Sequence, residues 1–317
     1  LISNQRWERG SIDFDLPEPQ IILDIQGKPA DIIKAERNIA HKIIEEFMIA
    51  ANEAVASYIT SLEAPFIYRI HEEPDKDKIE DFTEVIRGFG LSVKRKEGLK
   101  PKTLQKILED VKQRPEERLV NHILLRSMKQ ARYSTENAGH FGLASENYTH
   151  FTSPIRRYPD LAVHRILKMA MKKEGISEKE KEYLKEILPE TAKHSSERER
   201  IAMEAERDVV NLFKINFMKE HIDEVYTGYI SGVTAFGFFV ELEGIFVEGL
   251  VHITKLHDDF YVFNEKEHSL IGTKKKKGYR IGDKVTVIVD KIDSERRKID
   301  FSLVRAKGKK NKKAEEK

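Results

Sequence analysis

Two hydrophobic periods divide the chain. Up to about residue 221 apolar residues recur mostly at helical spacing, and after Asp223 they alternate. In KAERNIAHKIIEEFMIAANEAVASYI, residues 34–59, positions Ile39, Ile43, Ile44, Phe47, Met48, Ala51, Ala54, Val55 and Tyr58 cover about half of a helical wheel. An arc that wide exceeds what a surface helix needs and predicts a central helix. From Asp160, DLAVHRILKMAMKK has an N-cap candidate, an apolar stripe through Val163, Ile166, Leu167 and Ala170, and lysines in its last turn, with Gly175 closing it. A second long helix is expected over roughly 190–220. Earlier, residues 10–25 alternate around prolines and predict two short strands, 65–71 reads as a strand, and 102–132 as helical segments broken near Pro115.

Beyond Asp223, VYTGYIS, GFFVELE, FVEGLVHI, KVTVIVDKI and KIDFSLV give five short strands, which suggest a small closed barrel rather than an open sheet. The expected fold is multidomain α+β: a mixed α/β portion over residues 1–221, a five-stranded β-barrel over 222–304, and a basic, disordered tail over 305–317. That tail, RAKGKKNKKAEEK, sets seven basic residues against two acids and reads either as a solvated extension or as a nucleic-acid contact. The run KKKK at 274–277 carries the same two readings.

Composition narrows the chemistry. The absence of cysteine removes disulfides, thiolate zinc sites and thiol nucleophiles, and agrees with a reducing compartment, so a cytoplasmic location is expected. No apolar run reaches the length of a membrane span, and the opening LISNQRWERG, with neither a starting methionine nor a signal-peptide core, reads as the middle of something. A net charge of only +2 with 35% charged residues points to local patches able to meet an anionic partner.

The segment HFGLASENYTHFTSPIRRYPDLAVHR, residues 140–165, is interrupted by Ser153-Pro154 and Tyr158-Pro159 and predicts a stiff loop entering a helix. Arg156 and Arg157 offer planar paired donors to phosphate oxygens, and Tyr148, Phe151 and Tyr158 offer stacking surfaces. The alternative is that the rings cover a core and the arginines make ion pairs. On the second long helix, Glu206 falls within the arc formed by Ala202, Met203, Val209, Val210, Phe213 and Phe217, so it faces either a buried partner or a cavity wall. His41, Glu45 and Asn52 share a polar side of the first long helix, with Glu46 adjacent. Asp13 and Asp15, two apart on a strand, point the same way.

The same segment closely resembles the signature of the RNB family of exoribonucleases, and THFTSPIRRYPDL is similar to its ribonuclease R rather than its ribonuclease II members. The resemblance extends through RGSIDFDLPE, EEFMIAAN, APFIYRIHEEPD, LLRSMKQA and AERDV. It implies processive 3′→5′ hydrolysis of RNA to nucleoside 5′-monophosphates with magnesium. It also implies that Arg156 lies beside the scissile phosphate and that Glu206 contacts ribose. Glu45, or its neighbour Glu46, would meet the RNA 3′ end, with Arg157 on phosphate and Tyr148 in the RNA channel. The family holds its metal with an aspartate cluster, to which DFD at 13–15 lies downstream, so no metal ligand is assigned here and the magnesium ligands are expected outside this chain.

The chain is therefore expected to be the C-terminal part of such an enzyme, binding single-stranded RNA and RNA 3′ ends without hydrolysing them alone. A retained N-terminal fragment is a further expected partner. Residues 223–304 resemble the S1 type of OB fold, whose RNA-binding positions match Phe236, Phe239, His252, Asp293 and Lys298. Alternation turns Phe239 outward but leaves Phe236 on the wrong parity unless Gly237 forms a bulge, and Arg297 competes with Lys298 for the basic role. The rival readings are a noncatalytic RNA-binding scaffold of the same fold and a ribonuclease II-like enzyme.

Overall fold

The computed structural model describes residues 1–14, 18–91, 100–114, 117–265 and 269–304, with only the backbone of Arg118. The elements run α1 (Ile2–Arg9), β1 (Pro19–Leu23), β2 (Pro29–Lys34), α2 (Ile39–Ser61), β3 (Tyr68–Ile70), α3 (Lys76–Arg87), α4 (Pro101–Val111), α5 (Glu117–Ser127), β4 (Arg132–Ser134), α6 (Tyr158–Ala170) and α7 (Glu178–Met218). Then come β5 (Val225–Thr234), β6 (Gly237–Leu242), β7 (Glu248–His252), β8 (Tyr261–Asn264), β9 (Ser269–Gly272), β10 (Gly278–Arg280), β11 (Lys284–Asp293) and β12 (Lys298–Leu303). They form two compact units: Leu1–Leu16 with Glu36–Arg207, and Pro17–Ala35 with Asp208–Lys317. Among the described residues no helix is long and apolar enough to cross a membrane. The basic tail lies outside the described residues, as do Asp15 and Pro115.

In the first unit the β3–β4 pair and the C-terminal half of α2 pack on α6 and the start of α7 through Ile59, Phe66, Ile67, Val163, Ile166 and Leu188. A second cluster gathers α3, α4 and α5 around Phe82, Ile86, Leu104 and Leu124. The expectation of a central helix for α2 is corrected: Ile39, Ile43, Ile44 and Phe47 are exposed, and burial is confined to Ile49, Asn52, Ala56 and Ile59. A helical wheel records which positions are apolar, whereas burial requires a neighbouring element, and in the first half of α2 the neighbour α1 meets Glu46 and not the apolar arc. Helix α7 begins twelve residues earlier than expected and contains Pro189. Asp160 is not the N-cap of α6, a position held by Arg157, but sits fully buried within its first turn. Among the described residues of 10–25, only 19–23 form a strand, paired antiparallel with 29–34.

The second unit is the five-stranded closed barrel expected from alternation, in the order β11-β12-β7-β6-β5. All pairs are antiparallel except β12 with β7. Phe238, Val240, Val251, Val287, Val289 and Phe301 fill it, joined by Ile32 from the β1–β2 hairpin. A three-stranded sheet, β10-β9-β8, is inserted between β7 and β11. It docks by stacking Tyr279 on Phe238, with ring centres 4.8 Å apart, while Tyr261 packs at a tilt against Tyr279 within the sheet.

Candidate functional site

The loop from Gly139 to Arg157 is held by side chains that hydrogen-bond its backbone at several points. Asn52 of α2 accepts from the Phe151 amide at 2.9 Å and donates to the Tyr148 hydroxyl at 3.0 Å. Thr149 donates to the Ile67 carbonyl, and His164 bonds the Phe151 carbonyl while stacking on the Phe151 ring at 4.0 Å. At the loop's end the buried Asp160 carboxylate accepts from the Ser153 amide at 2.8 Å and from Arg157 at 2.7 Å. The two adjacent arginines thereby separate. Arg157 is an anchor with a side chain 19% exposed. Arg156 is exposed and makes no ion pair among the described residues, so its charge is available to an anion.

Arg156 borders a cleft of about 890 Å³ whose opposite wall is α7. Glu190, His194, Arg198, Ala202 and Glu206 recur along that wall at a spacing of four, which lines them up on one helix face. Tyr158 and Tyr133 complete the near side. Arg69 fixes Tyr133 by lying 4.6 Å over its ring, and is itself tied to Glu199 at 2.6 Å. The opening thus combines an unpaired guanidinium, an exposed tyrosine and an exposed carboxylate at Glu206: donors for phosphate, a face for a base and an acceptor for a hydroxyl. His194 and Arg198 escaped sequence reasoning, although their four-residue spacing ahead of Glu206 was a readable signal.

Beneath the loop, His71, His140 and His150 form a chain of rings with Tyr148 and Tyr133, at centre separations of 5.1–6.0 Å. His71 donates from Nε2 to the Lys129 carbonyl and accepts at Nδ1 from the Gly142 amide, which fixes it as neutral. Burial lowers all three imidazoles, His140 to about 3 and His150 to about 2, the latter also under the nearby Arg157 charge.

The acids of α2 face arginines. Glu46 makes a bidentate pair with Arg6 at 2.6 and 3.2 Å, both side chains largely buried. Glu45 shares Arg37 with Asp13, and Glu53 pairs with Arg9. This favours Glu45, the more exposed of the two, as the acid able to exchange its partner. Among the described residues no three acidic or histidine side chains converge to hold a metal, and these carboxylates, all engaged by guanidinium groups, do not fit a magnesium ion.

On the barrel, Phe239 and Phe236 meet edge to face at 6.3 Å, and Phe236 is 49% exposed. The parity problem is solved at Gly237, whose φ of 151° turns the chain where a Cβ would lie 2.3 Å from the Val251 carbonyl oxygen. The bulge itself lies in β5, between Ile230 and Gly232. Lys298 is exposed opposite Asp293 in the β11–β12 register, while Arg297 is committed to Asp208 at 2.9 Å, which leaves Lys298 as the available cation. His252 and Asp293 also cap local turns, accepting from the amides of Thr254 and Arg296.

Residues 1–173 match the RNB domain, and residues 219–304 match the S1 RNA binding domain. The chain belongs to the RNB family. It is 50% identical over 305 residues to ribonuclease R of Aquifex aeolicus, covering 96% of this chain and 43% of that protein. With ribonuclease R of Escherichia coli it shares 41% over 310 residues, covering 96% of this chain and 38% of that one. The structure of Mycoplasma genitalium RNase R in complex with ribose methylated single-stranded RNA superposes with a TM-score of 0.89 at 30% identity, over 96% of this chain and 48% of that one. The chain thus spans less than half the length of these relatives.

Within the RNB portion one expectation needs correction. Tyr148 is 6% exposed and bonded to Asn52, so it supports the loop from beneath instead of lining a channel. Of the two readings of Glu206 the structure favours the cavity wall: the residue is exposed and lines the cleft, with Met203 and Val209 of its apolar arc themselves exposed. Arg156 and Glu206 share the cleft, and Glu45 is not among its lining residues.

Proposed function

We propose that this chain is the RNA-gripping portion of a ribonuclease R-like 3′→5′ exoribonuclease that releases nucleoside 5′-monophosphates, with residues 1–221 contributing to the RNB domain and 222–304 forming the S1 domain. The observation that carries it is the pairing of an unneutralised Arg156 with Glu206 across one cleft. Arg156 offers its paired N–H groups to the phosphoryl oxygens of the terminal linkage, where negative charge builds during displacement. Glu206 accepts a hydrogen bond from a ribose hydroxyl, and Tyr158 carries a base on its ring. Arg157 acts behind them by fixing the loop through Asp160. Glu45 reads the strand end after exchanging Arg37 for a hydroxyl donor. Divalent metal supplies water activation in such chemistry, and the arginine-paired acids described above support ligands that lie outside this chain.

The test uses residues 1–317 as purified. Fluorescence anisotropy with single-stranded RNA is expected to show salt-dependent binding, weakened about tenfold or more by Arg156→Ala, the scale of one charge-assisted hydrogen bond. Magnesium-dependent release of monophosphates by this chain alone, or binding indifferent to Arg156, overturns the reading.

A further inference from the structure

The barrel unit carries a second basic feature that the aromatic face does not use. The five-residue turn between β9 and β10 contains Lys274, Lys275, Lys276 and Lys277. Four successive ammonium groups repel one another, so a merely solvated run gains nothing from being ordered. Here it is pinned. The Asp259 carboxylate accepts from the amides of Lys274 at 3.1 Å and Lys275 at 2.6 Å and from the Thr273 hydroxyl, while Gly272 donates to the Lys277 carbonyl across the turn. The backbone hydrogen bonds, that of Lys275 first, hold this carboxylate below its usual range. The side chains of Lys274, Lys275 and Lys276 are exposed and form no ion pair among the described residues.

The turn overhangs a cleft of about 720 Å³ lined by Lys255, Lys275, Lys277 and Lys284. The acids in its lining are already engaged: Asp258 by Tyr261 and Lys277, and Asp283 by the Arg280 amide. Lys255, Lys277 and Lys284 of the lining are themselves paired, with Asp290, Asp258 and Glu243, so the unpaired cations are those of the turn, and Tyr279, 4% exposed and stacked on Phe238, leaves no free ring for a base. None of Phe236, Phe239, His252 or Lys298 lines it.

We infer that the Asp259-pinned lysine turn and the cleft beneath it form a second RNA site on the barrel unit, one that holds the phosphate backbone of single-stranded RNA without reading its bases. The inference rests on the RNA-binding reading above. A preorganised cationic rim lowers the ordering cost of each phosphate it meets, and its contribution disappears with salt because it acts by counterion release.

The experiment is a salt titration, between about 50 and 200 mM, of fluorescein-labelled oligouridine binding to the full chain and to the triple variant Lys274→Ala, Lys275→Ala, Lys276→Ala. These three side chains support no part of the fold, so the variant folds as the parent does, and matching thermal melts check this. The expected result is affinity lower by about tenfold at low salt and a log–log salt slope reduced by about 0.7 for each phosphate no longer neutralised. A control variant, Lys172→Ala, Lys173→Ala, Lys179→Ala, removes the same charge from exposed positions of the other unit. An unchanged slope in the turn variant, or an equal loss in the control, overturns the site while the cleft reading stands on Arg156→Ala. Absence of RNA binding by the parent chain overturns both.

Discussion

The hydroxyl of Tyr133 lies 2.8 Å from Nδ1 of His150, and neither group carries charge at neutral pH. Burial pushes the phenol up to about 12 and holds the imidazole down to about 2. His140, held down to about 3 by burial and by His71, is in the same condition. In the unfolded chain both imidazoles take up protons near pH 6.5, and in the folded chain they do not. Their contribution to stability is therefore complete above about pH 6.5 and declines as pH falls toward the folded values, at about 1.4 kcal/mol per pH unit for each. Urea unfolding at pH 7.5 and pH 5 is expected to differ by a few kcal/mol, with His140→Asn reducing that difference by about half. Equal stability at the two pH values would count against neutral buried imidazoles.

The adjacent arginines are expected to separate in a melting experiment. Arg157→Ala leaves the Asp160 carboxylate fully buried with only the Ser153 amide, and losing one partner of a buried pair costs about 3–5 kcal/mol. Arg156→Ala removes an exposed side chain with no ion pair and shifts stability by less than about 0.5 kcal/mol. Thermal melts of the two variants check the contrast, and a similar loss in both would remove the division of labour proposed for them.

Glu206 carries the sugar prediction. If it accepts from a ribose hydroxyl, Glu206→Ala narrows the preference for RNA over the same 2′-deoxy sequence, by about five- to tenfold for one hydrogen bond. Competition binding of the two oligonucleotides measures it. A variant whose sugar preference is unchanged while its overall affinity rises would assign Glu206 to plain electrostatic repulsion of the strand.

For the barrel face, Phe239→Ala is expected to weaken single-strand binding by about 1–3 kcal/mol, the contribution of one stacked base. Because no cation is removed, the salt slope stays at its parent value. That combination, opposite to the one expected for the lysine turn, is read from the same titration.

What the sequence made legible follows from how each signal arises. Strict alternation over GFFVEL and KIDFSL leaves one arrangement, so the five barrel strands were readable. The inserted β8–β10 sheet was not, because its strands of three and four residues are too short to display a period. The loop at 139–157 was legible as a site through its arginines and rings, yet which arginine anchors and which reaches out depended on Asp160, whose burial no local pattern announces. The α2 error came from treating an apolar arc as a covered one. Tyr148 failed for the complementary reason, since a ring in a loop is buried or open according to a residue ninety-six positions away.

The hairpin formed by β1 and β2 buries Ile32, 1% exposed, among barrel residues as distant as Phe301. At a synthesis rate of about 5–20 residues per second, that isoleucine waits roughly 10–50 seconds for the strands that cover it. The barrel cluster is thus completed only after the intervening helical unit has emerged, and a version cut to begin at Asp208 would lack the side chain that completes it.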